Sequence, residues 1–114
     1  MTQVAVIHTA FEDKPSTVAF VDVPELPSLI ETLEYAYRWT NNVMGSWSIK
    51  KKVFEDGTPN GDFNPNVTVM KPLEVIDGQE WGHRSTSMGD QMLVGNKKYV
   101  VAMMGFETLE GEKV

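Results

Sequence analysis

The sequence contains no cysteine, so it can form neither a disulfide framework nor a thiolate metal site. No apolar run approaches the roughly 20 residues that a membrane-spanning helix needs. The N-terminus lacks the charged and then apolar pattern of a secretory signal. These absences predict a soluble, unprocessed protein without a membrane partner, and the missing cysteines agree with a reducing cytoplasm.

Positive charge is also scarce, because sixteen acidic residues against ten basic ones give a net charge of −6. Direct binding to nucleic acid requires clustered lysine and arginine, and the only such cluster is Lys50-Lys51-Lys52. We interpret this cluster as part of an exposed edge strand, where lysines discourage pairing with another sheet. We therefore predict no direct nucleic-acid partner. An acidic surface instead permits partners with basic faces, among them nucleic-acid enzymes.

Motifs of familiar catalytic sites are missing, since the sequence has no Walker loop, no GxGxxG run and no HExxH helix. His83, Ser85 or Ser87, and Asp90 supply the residue types of a hydrolytic triad. Residues this close in sequence seldom converge in triad geometry, and no nucleophile elbow surrounds either serine. We expect these side chains to satisfy backbone groups at the start of a strand, so we predict no enzyme.

The longest loop, residues 55–66, carries carboxylates, but not in the order that a calcium loop requires. Counting from Asp56, Gly61 falls at the sixth position, yet Val67 stands at the twelfth, where an EF-hand has glutamate. The two histidines form no HxH or HxxxH pair. We therefore predict no metal and no cofactor, and we interpret the loop as a mobile connection.

Most of the sequence shows patterns typical of β-strands, and one segment shows a helical pattern. Residues 3–10 and 17–23 alternate in polarity and pair most simply as an antiparallel hairpin. Ser28 opens a capping box with Glu31, and apolar residues then recur at helical spacing. Gly45 lies just beyond the predicted end of this helix.

The C-terminal half of the chain predicts a hairpin and several short strands. The runs Met92–Val94 and Tyr99–Met104 are joined by Gly95-Asn96, and the glycine supplies the positive φ of a type II′ turn. Further strands are predicted over residues 49–54, 67–70 and 73–76. Together these patterns predict a single α+β domain spanning residues 1–114, with one main helix packed on a mostly antiparallel sheet. The sheet is expected to be strongly curved, toward a small open barrel.

The polar run that starts at Arg84 is the strongest candidate for a binding site. Its guanidinium, with the hydroxyls of Ser85 and Ser87, has the donors to recognise a phosphate or a carboxylate. Arg84 has an alternative role, because it can pair with Asp90 or stack on Trp81 and so brace the turn. The sequence favours the bracing role and leaves the binding role open.

The three tryptophans, Trp39, Trp47 and Trp81, are candidates for a recognition patch, because tryptophan is enriched in binding hot spots. The alternative is that they belong to the core or cover a sheet face. Trp47 and Trp81 lie in polar contexts and are compatible with either position. For Trp39, at the end of the helix, we expect partial burial.

Two blocks of the sequence resemble small proteins of bacteriophages and mobile elements, the YodL-like accessory domains. One block is residues 84–90 (RSTSMGD), followed by the hairpin and Gly105-Phe106. The other is residues 33–42 (LEYAYRWTNN) with the turn at 45–48 (GSWS). The resemblance implies a phage-encoded accessory protein, and together with the acidic charge and the missing catalytic motifs it leads us to expect a protein that binds a host protein in the host cytoplasm. A defence enzyme or a nucleic-acid enzyme is the expected target of inhibition.

Two other functions stay open beside the binding of a host protein. One is a small-molecule or nucleotide binder that uses Arg84, Ser85 and Ser87 to sequester a signal. The other is a minor structural or assembly protein of a phage. A homo-oligomer is compatible with each of these functions.

Overall fold

The structure, a computed structural model, describes residues 1–114 and contains one helix, a six-stranded sheet and a separate two-stranded hairpin. Helix α1 spans Leu29–Arg38. The strands are β1 Thr2–His8, β2 Ser16–Val23, β3 Val67–Val69, β4 Glu74–Ile76, β5 Gln79–Trp81, β6 Gln91–Val94, β7 Lys97–Val101 and β8 Phe106–Thr108. No helix is long and apolar enough to cross a membrane.

The large sheet has the strand order β3-β2-β1-β6-β7-β8, and every neighbouring pair is antiparallel. The predicted α+β class, with one helix and a mostly antiparallel sheet, is confirmed. The six strands do not close on themselves, since β3 and β8 are the two edges of the sheet. The curvature toward a small barrel therefore stays a prediction.

Helix α1 and one face of the sheet enclose the core. Ser28 caps the helix, because its Oγ accepts a hydrogen bond from the Glu31 N–H at 3.2 Å. Leu33 and Ala36, one turn apart on the buried side of the helix, are fully inaccessible to solvent. The strand side chains of the core include Val4, Val6, Val21, Met92 and Tyr99. Ala5 and Ile7 alternate with Val4 and Val6, and they are buried outside this core cluster.

Two hairpin turns have the backbone conformations that are expected from their residues. Gly95 has a φ of 61°, whereas Asn96 does not have positive φ, which fits the predicted type II′ turn between β6 and β7. Asp77 and Gly78 both have positive φ, 53° and 79°, as a type I′ turn between β4 and β5 requires. The sequence patterns predicted β4 but missed its partner β5, and they also missed β8.

The strand predicted over residues 49–54 is wrong, because this segment forms only an isolated bridge between Val53 and Pro59. The physical reason is Asn60, whose Nδ2 donates to the carbonyl groups of Ser46, Ile49 and Lys51 at 2.9, 3.1 and 2.9 Å. These backbone groups are thus satisfied by a side chain instead of a neighbouring strand. Because the strand over residues 49–54 is absent, the interpretation of the lysine cluster as part of an edge strand is also wrong.

The second half of the loop over residues 55–66 is packed against the rest of the protein, with Asn60, Asp62 and Asn64 buried, whereas residues 55–59 are exposed. Asp62 is fully buried and accepts hydrogen bonds from the backbone N–H groups of Val43 and Met44, at 2.8 and 2.9 Å. Arg38, at the end of the helix, donates to the same carboxylate at 3.1 Å. Asp62 therefore ties the loop to the segment that follows α1.

Candidate functional site

Arg84 is the centre of an ion-pair network in which all five of its N–H donors are used. Nη1 and Nη2 donate to the two carboxylate oxygens of Asp90, at 2.8 and 2.9 Å. Nε and Nη2 reach the carboxylate of Glu12 at 3.1 and 2.8 Å, and Nη1 also donates to the Ser85 carbonyl at 2.9 Å. The guanidinium therefore has no free donor for a phosphate or a carboxylate. It lies over the ring of Phe11, not over Trp81.

Asp90 is fully buried and is the acceptor that draws three segments together. Besides Arg84, it accepts hydrogen bonds from the backbone N–H groups of Thr9, Ala10 and Ser87 at 2.9, 2.9 and 2.8 Å. Burial alone would raise the pKa of Asp90, but the Arg84 guanidinium and these N–H groups lower it to about 2. Hydrogen bonds from Arg84 likewise lower the pKa of Glu12.

The hydroxyls of Ser85 and Ser87, the other residues of the predicted anion site, are both hydrogen-bonded inside the protein. The Ser85 Oγ accepts from the Asn42 N–H at 2.8 Å, and the Ser87 Oγ donates to the Ser85 carbonyl at 3.2 Å. Bracing of the turn by Arg84 and Asp90, one of the two roles that the sequence left open, is what the structure contains. The anion site at Arg84 is not formed.

His8 ends a buried chain of polar side chains that the sequence patterns did not reveal. Its Nε2 lies 3.0 Å from the Thr86 Oγ1, which donates to the Thr40 Oγ1 at 2.8 Å. The Thr40 hydroxyl donates in turn to the Ala36 carbonyl at 2.8 Å. Because Thr86 has a single hydroxyl hydrogen, His8 is the donor and carries its proton on Nε2. These partners lie 78 and 46 positions apart in the sequence, so no local signal links them.

Trp47 is a core residue, so its assignment to a recognition patch is wrong. It is fully buried, and its ring lies between the rings of His8 and His83, with centroids 6.3 and 5.8 Å away. Its Nε1 donates to the Arg84 carbonyl at 3.0 Å, which satisfies the indole N–H inside the protein. The polar serines on each side of Trp47 left its exposure open, and its long-range contacts determine its position.

The other two tryptophans differ in exposure. Trp39 is half-buried, as expected, with the Arg38 guanidinium 4.2 Å from its ring centroid and Tyr35 beside it. Trp81 is 56% exposed. Of the tryptophans considered for recognition, Trp81 is therefore the one that presents most of its surface to solvent.

Trp81 belongs to the β4–β5 hairpin, residues 74–81, which we call the arm. All six strand residues of the arm are exposed. Glu74 pairs with Trp81 and Ile76 pairs with Gln79, so these side chains share one face of the arm. Val75 and Glu80 occupy the opposite face.

The face of the arm that carries Trp81 borders a cleft of about 270 Å³, which we call the arm cleft. His8, Lys71 and His83 contribute to its other walls. The Nε2 of His83 lies 2.7 Å from the Lys71 carbonyl, so this imidazole donates there and holds the segment before the arm. No group of three histidine, aspartate or glutamate side chains is placed to hold a metal ion. The chemistry that this arrangement supports is binding of an apolar group beside polar and charged side chains.

Comparisons with protein-family models, with curated proteins and with solved structures find no match to this chain. The class of the protein is therefore defined by its own geometry. It is an acidic α+β protein with a braced polar turn, a closed core on one sheet face, and an exposed arm above a small cleft.

Acid should destabilise the fold in two steps, and His8 explains the first. Burial lowers the pKa of His8 from its ordinary value of 6.5 to about 4. Between these two pH values the unfolded chain binds a proton that the folded chain does not, so stability falls as the pH falls through this range. A pKa difference of this size corresponds to about 3 kcal/mol. The second step lies at lower pH. There, protonation of Asp90 removes the stabilisation that is associated with its lowered pKa.

Urea denaturation of the wild type and of His8→Gln, measured from pH 7 to pH 4, tests the first step. The variant should start less stable and show a flatter decline, because glutamine does not titrate. Parallel curves for the two proteins would contradict the role given to His8.

Proposed function

We propose that this protein is a non-enzymatic binding protein whose arm docks on another protein. The observation that supports this proposal is the exposure of Ile76 and Trp81, by 48% and 56%, on the same face of the arm. Adjacent exposed apolar side chains mark interaction surfaces, and tryptophan is enriched among hot-spot residues. The arm cleft beneath them has room for a side chain of the partner.

The charge of the arm indicates the kind of partner. Its eight residues include Glu74, Asp77 and Glu80 and no basic residue, in a chain of net charge −6. A partner with a basic surface complements this charge, and electrostatic attraction accelerates such an encounter. Nucleic-acid enzymes carry basic faces, which makes them a suitable class of target. The resemblance to phage accessory proteins supports a host enzyme, in defence or nucleic-acid metabolism, whose activity the protein inhibits in the cytoplasm.

The arm has little stabilisation of its own, which also favours a docking role. A two-stranded hairpin in water is marginally stable, and all six strand residues of this one are exposed. The segments at its base are held firmly, because the His83 ring contacts the Lys71 carbonyl and the His83 N–H donates to the Ser48 Oγ at 2.7 Å. A partner that covers Ile76 and Trp81 would supply the packing that the arm lacks.

Substitution of Trp81 by alanine together with Ile76 by serine should weaken partner binding by about thirtyfold or more, the effect of losing a hot spot. Folding stability should change little, because both side chains are exposed. The matched control is Val75→Ser, a similar change on the opposite face of the arm, where Val75 is 64% exposed. That control should bind like the wild type.

The measurement has two stages. Quantitative mass spectrometry of proteins captured from a bacterial lysate identifies a stoichiometric partner of the wild type, and calorimetry with the isolated partner then compares the three proteins. The interaction should weaken as salt rises, because exposed charges are screened. Retention of the partner by the Trp81/Ile76 variant, or equal loss with Val75→Ser, would refute docking through this face.

A further inference from the structure

A second cleft, of about 420 Å³, gathers positive charge in this otherwise acidic protein. Lys50 and Lys51 line it from one segment, and Lys71 lines it from another segment of the chain. Glu80, on the arm, is the only acidic residue in its lining. Packing thus brings three of the eight lysines to one place, although the sequence showed only the run at 50–52.

The charges of this lysine cleft are only partly neutralised by neighbouring carboxylates. Lys71 makes no ion pair, and Lys51 meets only Glu55, at 3.7 Å. Glu55 is 93% exposed in its side chain, so this pair is weak. Both arginines, in contrast, are paired with fully buried aspartates. The cleft is therefore a place where three lysines from two segments meet, although lysines outside it also lack ion pairs.

Lys50 is held in place more firmly than its two neighbours. Its Nζ donates to the Asn64 carbonyl and lies 4.7 Å from the ring centroid of Phe63. Burial lowers the pKa of Lys50. All three lysines are exposed, but the Lys50 ammonium is already bound to the Asn64 carbonyl, so we assign the phosphate to Lys51 and Lys71.

Apart from Ser48, apolar side chains form the rest of the lysine cleft. Met70 and Leu73 line it together with Val69 and Pro72. Its volume lies in the range of small-molecule sites, which are mostly apolar with a few placed charges. Cations beside an apolar floor match a ligand that combines a phosphate with an apolar or aromatic body.

We propose that the lysine cleft binds a small organic phosphate of nucleotide size. The phosphate lies against Lys51 and Lys71, and the body of the ligand covers Met70 and Leu73. This site differs from the predicted anion site at Arg84, whose donors are all used inside the protein. Ile76 and Trp81 line the other cleft, and Lys71 borders both clefts, whereas Lys51 does not border the arm cleft.

Adenosine monophosphate is a suitable probe, because it combines one phosphate with an aromatic ring. Calorimetry should detect its binding to the wild type, and the Lys51→Ala/Lys71→Ala variant should bind it about tenfold more weakly or worse. The matched control is Lys97→Ala/Lys98→Ala, which removes the same charge from exposed positions on β7. It should keep the wild-type affinity, which separates a specific site from general attraction.

Three further probes make the test complete. Adenosine and inorganic phosphate should each bind more weakly than the monophosphate, since each lacks half of the recognised features. The proposal is overturned by equal binding of either probe, by no binding of the monophosphate at millimolar concentration, or by equal losses in the two lysine variants. Tighter binding of a single-stranded oligonucleotide at the same lysines would also overturn it, in favour of a nucleic-acid surface.

Discussion

Replacement of Asp90 by alanine is expected to lower the free energy of unfolding by about 3–5 kcal/mol. The carboxylate is fully buried and accepts hydrogen bonds from Arg84 and from three backbone N–H groups. Its removal leaves those N–H groups without acceptors and takes away the buried partner of the guanidinium. Each unsatisfied buried donor costs about 1–3 kcal/mol, so the losses exceed those of an ordinary surface ion pair.

Urea denaturation at pH 7 measures this loss, and Glu12→Ala is its control. Glu12 binds the same guanidinium but is 24% exposed in its side chain. Water can therefore replace it, and we expect a cost of about 1 kcal/mol or less. Equal losses for the two variants would mean that Arg84, rather than the backbone contacts of Asp90, determines the stability of the turn.

Replacement of Trp47 by alanine should be comparably damaging, with a loss of about 3–5 kcal/mol. The indole is fully buried between His8 and His83, and its N–H is satisfied by the Arg84 carbonyl. Alanine would leave a cavity at the junction of β1 with the polar turn and would release that carbonyl.

The control is the same substitution at Trp81, which is 56% exposed. There we expect a change within about ±0.5 kcal/mol, because little buried surface is lost. Guanidinium denaturation of both variants provides the comparison. A Trp47→Ala protein as stable as Trp81→Ala would contradict the assignment of Trp47 to the core.

Local features of the fold were predictable because their signals lie within a few residues. Ser28 caps the helix through the Glu31 N–H, and Gly95 gives its hairpin the expected turn. The segment 49–54 shows where this reasoning fails, because its strand-like composition competes with bonds from Asn60 that the pattern does not contain. A side chain further along the chain determined the backbone conformation.

In the candidate site too, contacts between residues close in sequence were predictable and long-range contacts were not. Arg84 and Asp90 are six positions apart, so their pairing was one of the roles considered from the sequence. Glu12 lies 72 positions from Arg84, and no pattern within one sequence indicates that contact. Trp81 lay in a polar context like that of Trp47, yet one is exposed and the other buried. Tertiary packing determines which of the two tryptophans is buried, and the composition of the neighbouring sequence does not indicate it.

The position of β1 in the middle of the sheet has a consequence for how the chain folds. On one side β1 pairs with β2, which follows it directly, but on the other side Val4 pairs with Val94. Contacts of such long sequence separation slow folding, because a large loop must close before they form. During synthesis the N-terminal hairpin therefore leaves the ribosome with one edge of β1 unpaired, and that edge is open to association with other chains. Folding of the sheet is completed only after β6 has been synthesised, when Asp90 can bind the N–H groups of Thr9 and Ala10.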